Sequence, residues 1–217
     1  MRQPARAADP ARTEEVAAEP RRKAALILYL VPGSSSMAPH IALHEVGAVF
    51  ETRPLSFARQ EHRSADYLRL NPEGKVPTLL VNGRPLTEVA AILFYLARTF
   101  PAAGLLPQGD AAAEAAIVSW MSFIAATIHP ARRQGLARAS EVWGIAERRL
   151  GAREWAVDRY SIADIHLFRL YWRFANSLRP PPGTFPNLSA HYERMMARPA
   201  VQRTIAAESV IGYELPD

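Results

Sequence analysis

The chain of 217 residues contains no cysteine. That absence excludes a disulfide framework, a thiolate nucleophile, a Cys-x-x-Cys redox pair and a thiolate zinc site. Lysine is almost missing as well: only Lys23 and Lys75 occur, so 24 of the 26 basic residues are arginine. With abundant alanine and proline, this bias points to a GC-rich bacterial genome. There is no phosphate-binding P-loop and no dinucleotide fingerprint, and without a Gly-x-Ser-x-Gly elbow a hydrolase triad is disfavoured. Long apolar runs are scarce. The stretch from Ala115 to His129 carries Ser119, Ser122 and Thr127 and falls short of the roughly 20 apolar residues of a membrane-spanning helix. Residues 1–23, with Pro4, Pro10, Pro20 and interspersed acids, do not read as a signal peptide. They are expected to be a disordered extension, and the protein is expected in the cytoplasm with no membrane partner.

What remains is an ordinary globular composition, 49% hydrophobic and 22% charged, long enough for one large domain or two modest ones. The net charge is +5, and its distribution decides whether a polyanion is a plausible partner. Basic and acidic residues number 6 and 4 over positions 1–23, 7 and 7 over 24–110, and 13 and 10 over 111–217. The later arginines alternate with acids as on solvated helix faces, so no nucleic-acid partner is expected.

Ala25 to Val31, continuously apolar and stopped by Pro32-Gly33, predicts a strand buried on both faces. The triplet Ser34-Ser35-Ser36 and then Pro39 announce a helix that Gly47 ends, with a serine hydroxyl as N-cap. Val49–Leu55 predicts a second strand, Ser64–Leu70 a short helix, and Asn71-Pro72-Glu73-Gly74 a turn before a strand over Val76–Val81. Asn82-Gly83 is a hairpin signal, and Glu88–Thr99 predicts a helix. The order is βαβαββα over residues 24–99. A linker is expected over 100–110 and an all-helical domain over 111–217, with helices over Ala111–Ile128, Ser140–Leu150, Ser161–Ala175, Asn187–Ala197 and Ala200–Ala207. Ser161 and Asp164 have capping-box spacing.

Several residues could carry chemistry. The serines stand where free amides and the positive end of a helix face an anion, and a hydroxyl there is either a cap or a functional donor. Pro77 sits either at a sheet edge or in a cis peptide that turns the backbone of Val76 outward. Glu88 opens a helix and, taken alone, reads as a dipole partner. His40 and His44 have chelate spacing but no third ligand, so no metal is expected. His129, before Pro130, is either a C-terminal dipole partner or a cleft residue. His62, His166 and His191 suggest nothing.

Together these pieces resemble a glutathione transferase. The matching segments are Tyr29–Ile41, Asn71–Leu79, Leu86–Leu96, Ser161–Phe168 and Arg194–Val201, in the family's order over residues 25–208; the Pro-Gly-x-x-Ser-x-x-Pro-His stretch and Ile128-His129 are most similar to the bacterial beta class. The resemblance implies a thioredoxin-like domain that binds glutathione and a helical domain that supplies the acceptor pocket, paired in a homodimer. It also implies that Val76, ahead of a cis Pro77, pairs through its backbone with the cysteinyl part of glutathione. Glu88 and the amides after it, including that of Val89, would hold the γ-glutamyl end. His129 would border the pocket for a hydrophobic electrophilic small molecule.

Departures from the class are equally specific. Ser35 stands where the beta class has cysteine, with Ser36 after it; Leu30 replaces a tyrosine, Pro130 a basic residue, and Val89 a serine or glycine. The stretch between His129 and Ser140 is short. Without cysteine, mixed-disulfide chemistry is excluded and the glutathione sulfur must itself be the nucleophile. Lowering a thiol pKa of about 8.5 by about two units takes roughly 2.7 kcal/mol. A hydrogen bond to a charged acceptor supplies about 1.5–3 kcal/mol and a helix N-terminus about 0.3–1. The expectation is therefore a glutathione S-transferase with Ser35 as first thiolate donor and Ser36 as second. The rival is a noncatalytic binding protein on the same scaffold.

Overall fold

In the computed structural model, which describes residues 25–214, the apolar run after Ala25 forms β1 (Leu26–Leu30). β1 pairs in parallel with β2 (Phe50–Pro54) and antiparallel with β3 (Thr78–Val81), which pairs antiparallel with β4 (Arg84–Thr87), giving the order β2-β1-β3-β4. Asn82 and Gly83 both have positive φ, 51° and 81°, as a two-residue hairpin turn of the primed type requires. The strand expected over Val76–Val81 starts only at Thr78, because a cis peptide joins Val76 to Pro77 and keeps both outside the ladder.

Alternation along β1 sets the layers. Leu26, Leu28 and Leu30 point into the main core with α1 (Met37–Glu45) and α3 (Val89–Thr99). Tyr29 points the other way, to a small cluster with Tyr67 of α2 (Ala65–Leu70) and Val76. The hydroxyl of Ser64 caps α2 by accepting from Tyr67 N at 3.2 Å. The segment expected as a linker is packed: Leu105 and Leu106 are buried, and Leu105 O accepts from Ile162 N at 3.1 Å.

The rest is helical. α4 (Ala111–Phe123) runs into a π-helical turn (Ile124–Ile128), then α5 (His129–Ala131) and a 3-10 turn (Arg132–Gln134). The helix expected to stop at Ile128 thus continues through Pro130. A proline removes one N–H and crowds the carbonyl four residues back; a wider π turn immediately before it relaxes that crowding. By length and composition Ala111–Gln134 is the one helix among the described residues that could cross a membrane, which corrects the shorter apolar run read above. Its buried stripe, Ile117, Trp120, Met121, Ile124 and Ile128, follows the i, i+3, i+4, i+7 spacing of a core helix. α6 (Leu136–Leu150), α7 (Ile162–Ser177), α8 (Pro186–Met196) and α9 (Pro199–Ile211) complete the bundle. The last extends four residues past its expected end. The expected extension, residues 1–23, lies outside the described residues.

α7 is the central helix, and its start is tightly specified. Ser161 Oγ accepts from Ala163 N at 3.2 Å while Asp164 Oδ2 accepts from Ser161 N at 2.9 Å. Asp164 Oδ1 takes two more donors, Ala156 N at 2.7 Å and His191 Nε2 at 3.0 Å. His191, unassigned from sequence, is therefore a structural partner of a fully buried carboxylate. A second network ties the sheet unit to the bundle: Arg198 donates to both oxygens of Glu45 at 2.6 and 3.0 Å and stacks 3.6 Å over the Tyr160 ring.

Candidate active site

The loop from Val31 to Ser36 separates the three serines by role. Ser36 Oγ donates to Val31 O at 3.0 Å, accepts from Val31 N at 3.1 Å, and lies 2.7 Å from Ser34 Oγ, whose proton it accepts. Its hydroxyl is fully occupied and fully buried. Ser36 is the residue before α1, yet its side chain makes no cap bond, because it turns back to close the strand end. The geometry removes it from the cleft and argues against it as a thiolate donor. Ser35 is different: half-buried, at the rim of the cleft, its hydroxyl meets no protein partner among the described residues. Gly33, at φ 70°, aims its N–H at Glu208 Oε2, 2.6 Å away on α9. The other carboxylate oxygen accepts from His40 Nδ1 at 2.9 Å. A buried acid from near the chain's end thus fixes the loop that presents Ser35.

The cleft of about 320 Å³ is lined by Ser35, Val76, Pro77, Glu88, Val89 and His129. Six of the seven residues singled out from sequence meet there; Ser36 does not. The Lys75–Thr78 turn is held from beneath, where Tyr67 Oη donates to Lys75 O at 2.6 Å and Asn71 Nδ2 donates to the same oxygen at 2.7 Å. Glu88 has φ 67° and ψ 124°, a conformation that costs a non-glycine residue on the order of 1–3 kcal/mol and concentrates at ligand sites. Its side chain makes no cap bond to α3, so whatever it contributes to the helix as a dipole partner comes through its charge alone. Leu30 is fully buried in the core and its departure from the class does not reach the cleft.

His129 comes from the end of the π turn and faces the cleft rather than serving as a helix terminus. Burial lowers its pKa to about 4, helped by the positive charges of Arg169, Arg133, Arg132 and Lys75. It is neutral at physiological pH. Beside it lies His166, dismissed from sequence, whose Nδ1 is buried with no hydrogen-bond partner among the described residues. Burial pushes its pKa down to about 3, with Arg169 and His129 adding to the effect. Arg169 is itself buried and lowered to about 9, chiefly by desolvation and then by Arg173 and Arg132. A second, wider cleft of about 920 Å³ shares Ser35, Lys75, Val76, His129 and Arg133 with the first and adds Arg132, Arg169 and Arg173. The missed residues had a signal: His166, Arg169 and Arg173 recur at i, i+3 and i+7, a polar stripe on an otherwise apolar helix. His40 and His44 stack at 5.1 Å, and no group of three or more metal-ligating side chains gathers among the described residues.

The sequence and the architecture both have counterparts. Residues 24–98 match the model of the glutathione S-transferase N-terminal domain and residues 115–199 that of the C-terminal domain. The glutathione S-transferase GST-4.5 of Xanthomonas campestris is 32% identical over 204 residues, 84% of this chain and 98% of its own length. GstA of Escherichia coli O157:H7 is 30% identical, again over 84% and 98%. Among solved structures, a sphingomonad glutathione S-transferase complexed with glutathione superposes with a TM-score of 0.76 at 33% identity, covering 85% of this chain and 99% of that one. The bacterial beta-class enzyme of Sphingomonas chungbukensis gives 0.74 at 34%, with the same coverage. A four-stranded sheet that carries the cis-proline turn, a helical bundle that walls the cleft, and near full-length likeness on both counts place this chain in the glutathione S-transferase family.

Proposed function

We propose that the protein is a glutathione S-transferase that lowers the pKa of bound glutathione with the hydroxyl of Ser35 and passes the thiolate to an electrophilic small molecule. The observation that carries this reading is the contrast between two neighbouring hydroxyls. Ser36 spends both its donor and its acceptor capacity on Val31 and Ser34, whereas Ser35, at the mouth of the cleft and ahead of α1, has both to offer. The Ser35 O–H donates to sulfur while the α1 N-terminus adds its positive potential. The neighbouring arginines act in the same direction.

The backbone of Val76, freed from the ladder by the cis peptide, pairs with the cysteinyl unit of glutathione. The Glu88 carboxylate takes the γ-glutamyl ammonium, with the amide of Val89 on the adjoining carboxylate. Neutral His129 borders the acceptor. In the reaction a sulfur–carbon bond forms, the bond to halide or aryloxide breaks, and the leaving group departs with the electron pair; the thiol proton has already gone to solvent. The protein acts in the cytoplasm as a homodimer. Partly exposed Phe94 on α3 and Val118 on α4, beside the small residues of α4, supply an apolar face for pairing. Of the departures that favour the rival, a noncatalytic scaffold, Leu30 does not touch the cleft whereas Val89 and Pro130 line it; unoccupied Ser35 beside them favours the transferase.

Thiolate absorbance of bound glutathione against pH tests the assignment. Loss of a charge-assisted hydrogen bond, about 1.5–3 kcal/mol, should raise the thiol pKa by about one to two units in Ser35→Ala. Ser36→Ala should instead lower stability and leave ionisation nearly intact. An unchanged pKa in Ser35→Ala would remove this mechanism.

A further inference from the structure

The wider cleft carries a charge that an apolar acceptor does not explain. Among the described residues its wall includes Arg132, Arg133, Arg169 and Arg173 from the helical bundle and Arg63 and Lys75 from the sheet unit, against one acid, Glu214. That acid is engaged elsewhere: its carboxylate accepts from Ser56 Oγ at 2.7 and 3.0 Å and from Ala58 N at 3.2 Å. Among the described residues no carboxylate forms an ion pair with Arg132, Arg133 or Arg169. Arg169 stands out because it is only 5% exposed, and a buried guanidinium group is costly to leave unpaired. Its Nε donates to Ser34 O at 2.8 Å, while Nη1 has no hydrogen-bond partner among the described residues.

We infer that Arg169, with Arg132 beside it, forms an anion subsite in the acceptor pocket, so that the electrophile is a small molecule bearing a carboxylate. This rests on the transferase reading above. Placement supports it: the Nε bond to Ser34 O anchors the guanidinium one residue from Ser35, and Arg169 lines the same cleft as Ser35, so an anion on the cleft-facing edge of the guanidinium lies close to the sulfur that Ser35 holds. The carboxylate and the electrophilic carbon must therefore belong to one compact molecule. Arg169 has its affinity for a proton weakened by burial and by Arg173 and Arg132, with Glu208 alone acting against this. A bound carboxylate supplies the missing counter-charge. Glutathione also carries carboxylates, and the experiment must separate the two sources of the same chemistry.

Protein saturated with S-methylglutathione, which cannot react, is titrated calorimetrically with a chlorodinitrobenzoate and with its neutral methyl ester. A charge-assisted hydrogen bond in a buried site predicts at least about tenfold tighter binding of the acid. Arg132→Gln should reduce that preference about tenfold, and Arg169→Lys, which keeps the charge but not the fork, should reduce it less. With glutathione itself, the acid is the better substrate by a similar factor: sulfur displaces chloride, which leaves with its bond pair. Equal binding of acid and ester overturns the subsite while leaving the transferase reading intact. So does an Arg132→Gln variant that weakens S-methylglutathione and spares the acid preference, since the arginines would then serve glutathione's own carboxylate. If S-methylglutathione does not bind at all, the transferase reading fails. The same two probes titrated into the free protein then decide the subsite, acid preference supporting it and parity overturning it.

Discussion

Replacing Glu208 by alanine should damage the site from more than one layer away. The carboxylate is fully buried, accepts from Gly33 N at 2.6 Å and pairs with His40 Nδ1 at 2.9 Å. Alanine leaves both donors without an acceptor in a place water does not reach. Each buried donor left unsatisfied costs about 1–3 kcal/mol, so losing the acceptor for both costs roughly 2–6 kcal/mol. Against a total stability of about 5–15 kcal/mol, that is a large fraction. Glu208→Gln retains one oxygen for Gly33 and should cost less, about 1–3 kcal/mol, the range for one unsatisfied buried donor. Urea unfolding at neutral pH, followed by fluorescence of the four tryptophans, measures both. The loop-holding role adds a second expectation: glutathione affinity of the folded Glu208→Gln protein falls, although residue 208 lines neither cleft. If Glu208→Ala unfolds within about 1 kcal/mol of the parent, the loop does not depend on α9 and the reasoning is wrong.

Ser35→Cys should form a mixed disulfide with glutathione disulfide, seen as a mass increase of one glutathionyl group. A variant that binds glutathione yet resists modification would show that residue 35 does not face the sulfur. His44, His129 and His166 have pKa values lowered to about 4, 4 and 3, each first by burial. Because the unfolded chain then binds more protons, stability is fully present above about pH 6.5 and is lost as pH falls toward 4. Nitrogen shifts of His129 that titrate near 6.5 in the folded protein would contradict this. Gly74→Ala should be far more harmful than Gly47→Ala. Both glycines have positive φ, but a methyl group at 74 would lie 2.9 Å from His62 O and 2.8 Å from Arg63 Nη1, while at 47 it meets nothing. Thermal midpoints that drop equally would refute the steric account.

Much of the sheet unit was legible in the chain because its punctuation is local. Pro32-Gly33, Asn82-Gly83 and the capping serine at 64 each fix a boundary through the backbone of one or two residues. The capping box of Ser161 and Asp164 was legible for the same reason, although its His191 partner was not, since that contact arrives from another helix. The serine triplet shows the limit. Spacing places three hydroxyls at one helix start, yet which of them faces the cleft depends on how β1 ends, and Ser36 is claimed by Val31. The helix to Gln134 ran past its expected end because proline reads as a stop unless a π turn precedes it. His166 and Arg169 escaped because a polar residue on a buried helix is informative only once the stripe is recognised and the facing wall is known.

The π turn has one more consequence. A residue advances an α-helix by about 100°, so the additional residue accommodated between Ile124 and Ile128 resets the azimuth of everything after it. Upstream, Ile117 and Trp120 keep their place against the bundle; downstream, His129, Arg132 and Arg133 are swung to the cleft. Deleting Ala126, exposed within that turn, would convert it to ordinary α-helix and rotate the two clefts' shared basic wall by about a quarter turn relative to the core. The lining of the cleft is set here by one additional residue in a helical turn, and the length of this helix decides which of its side chains face that cleft.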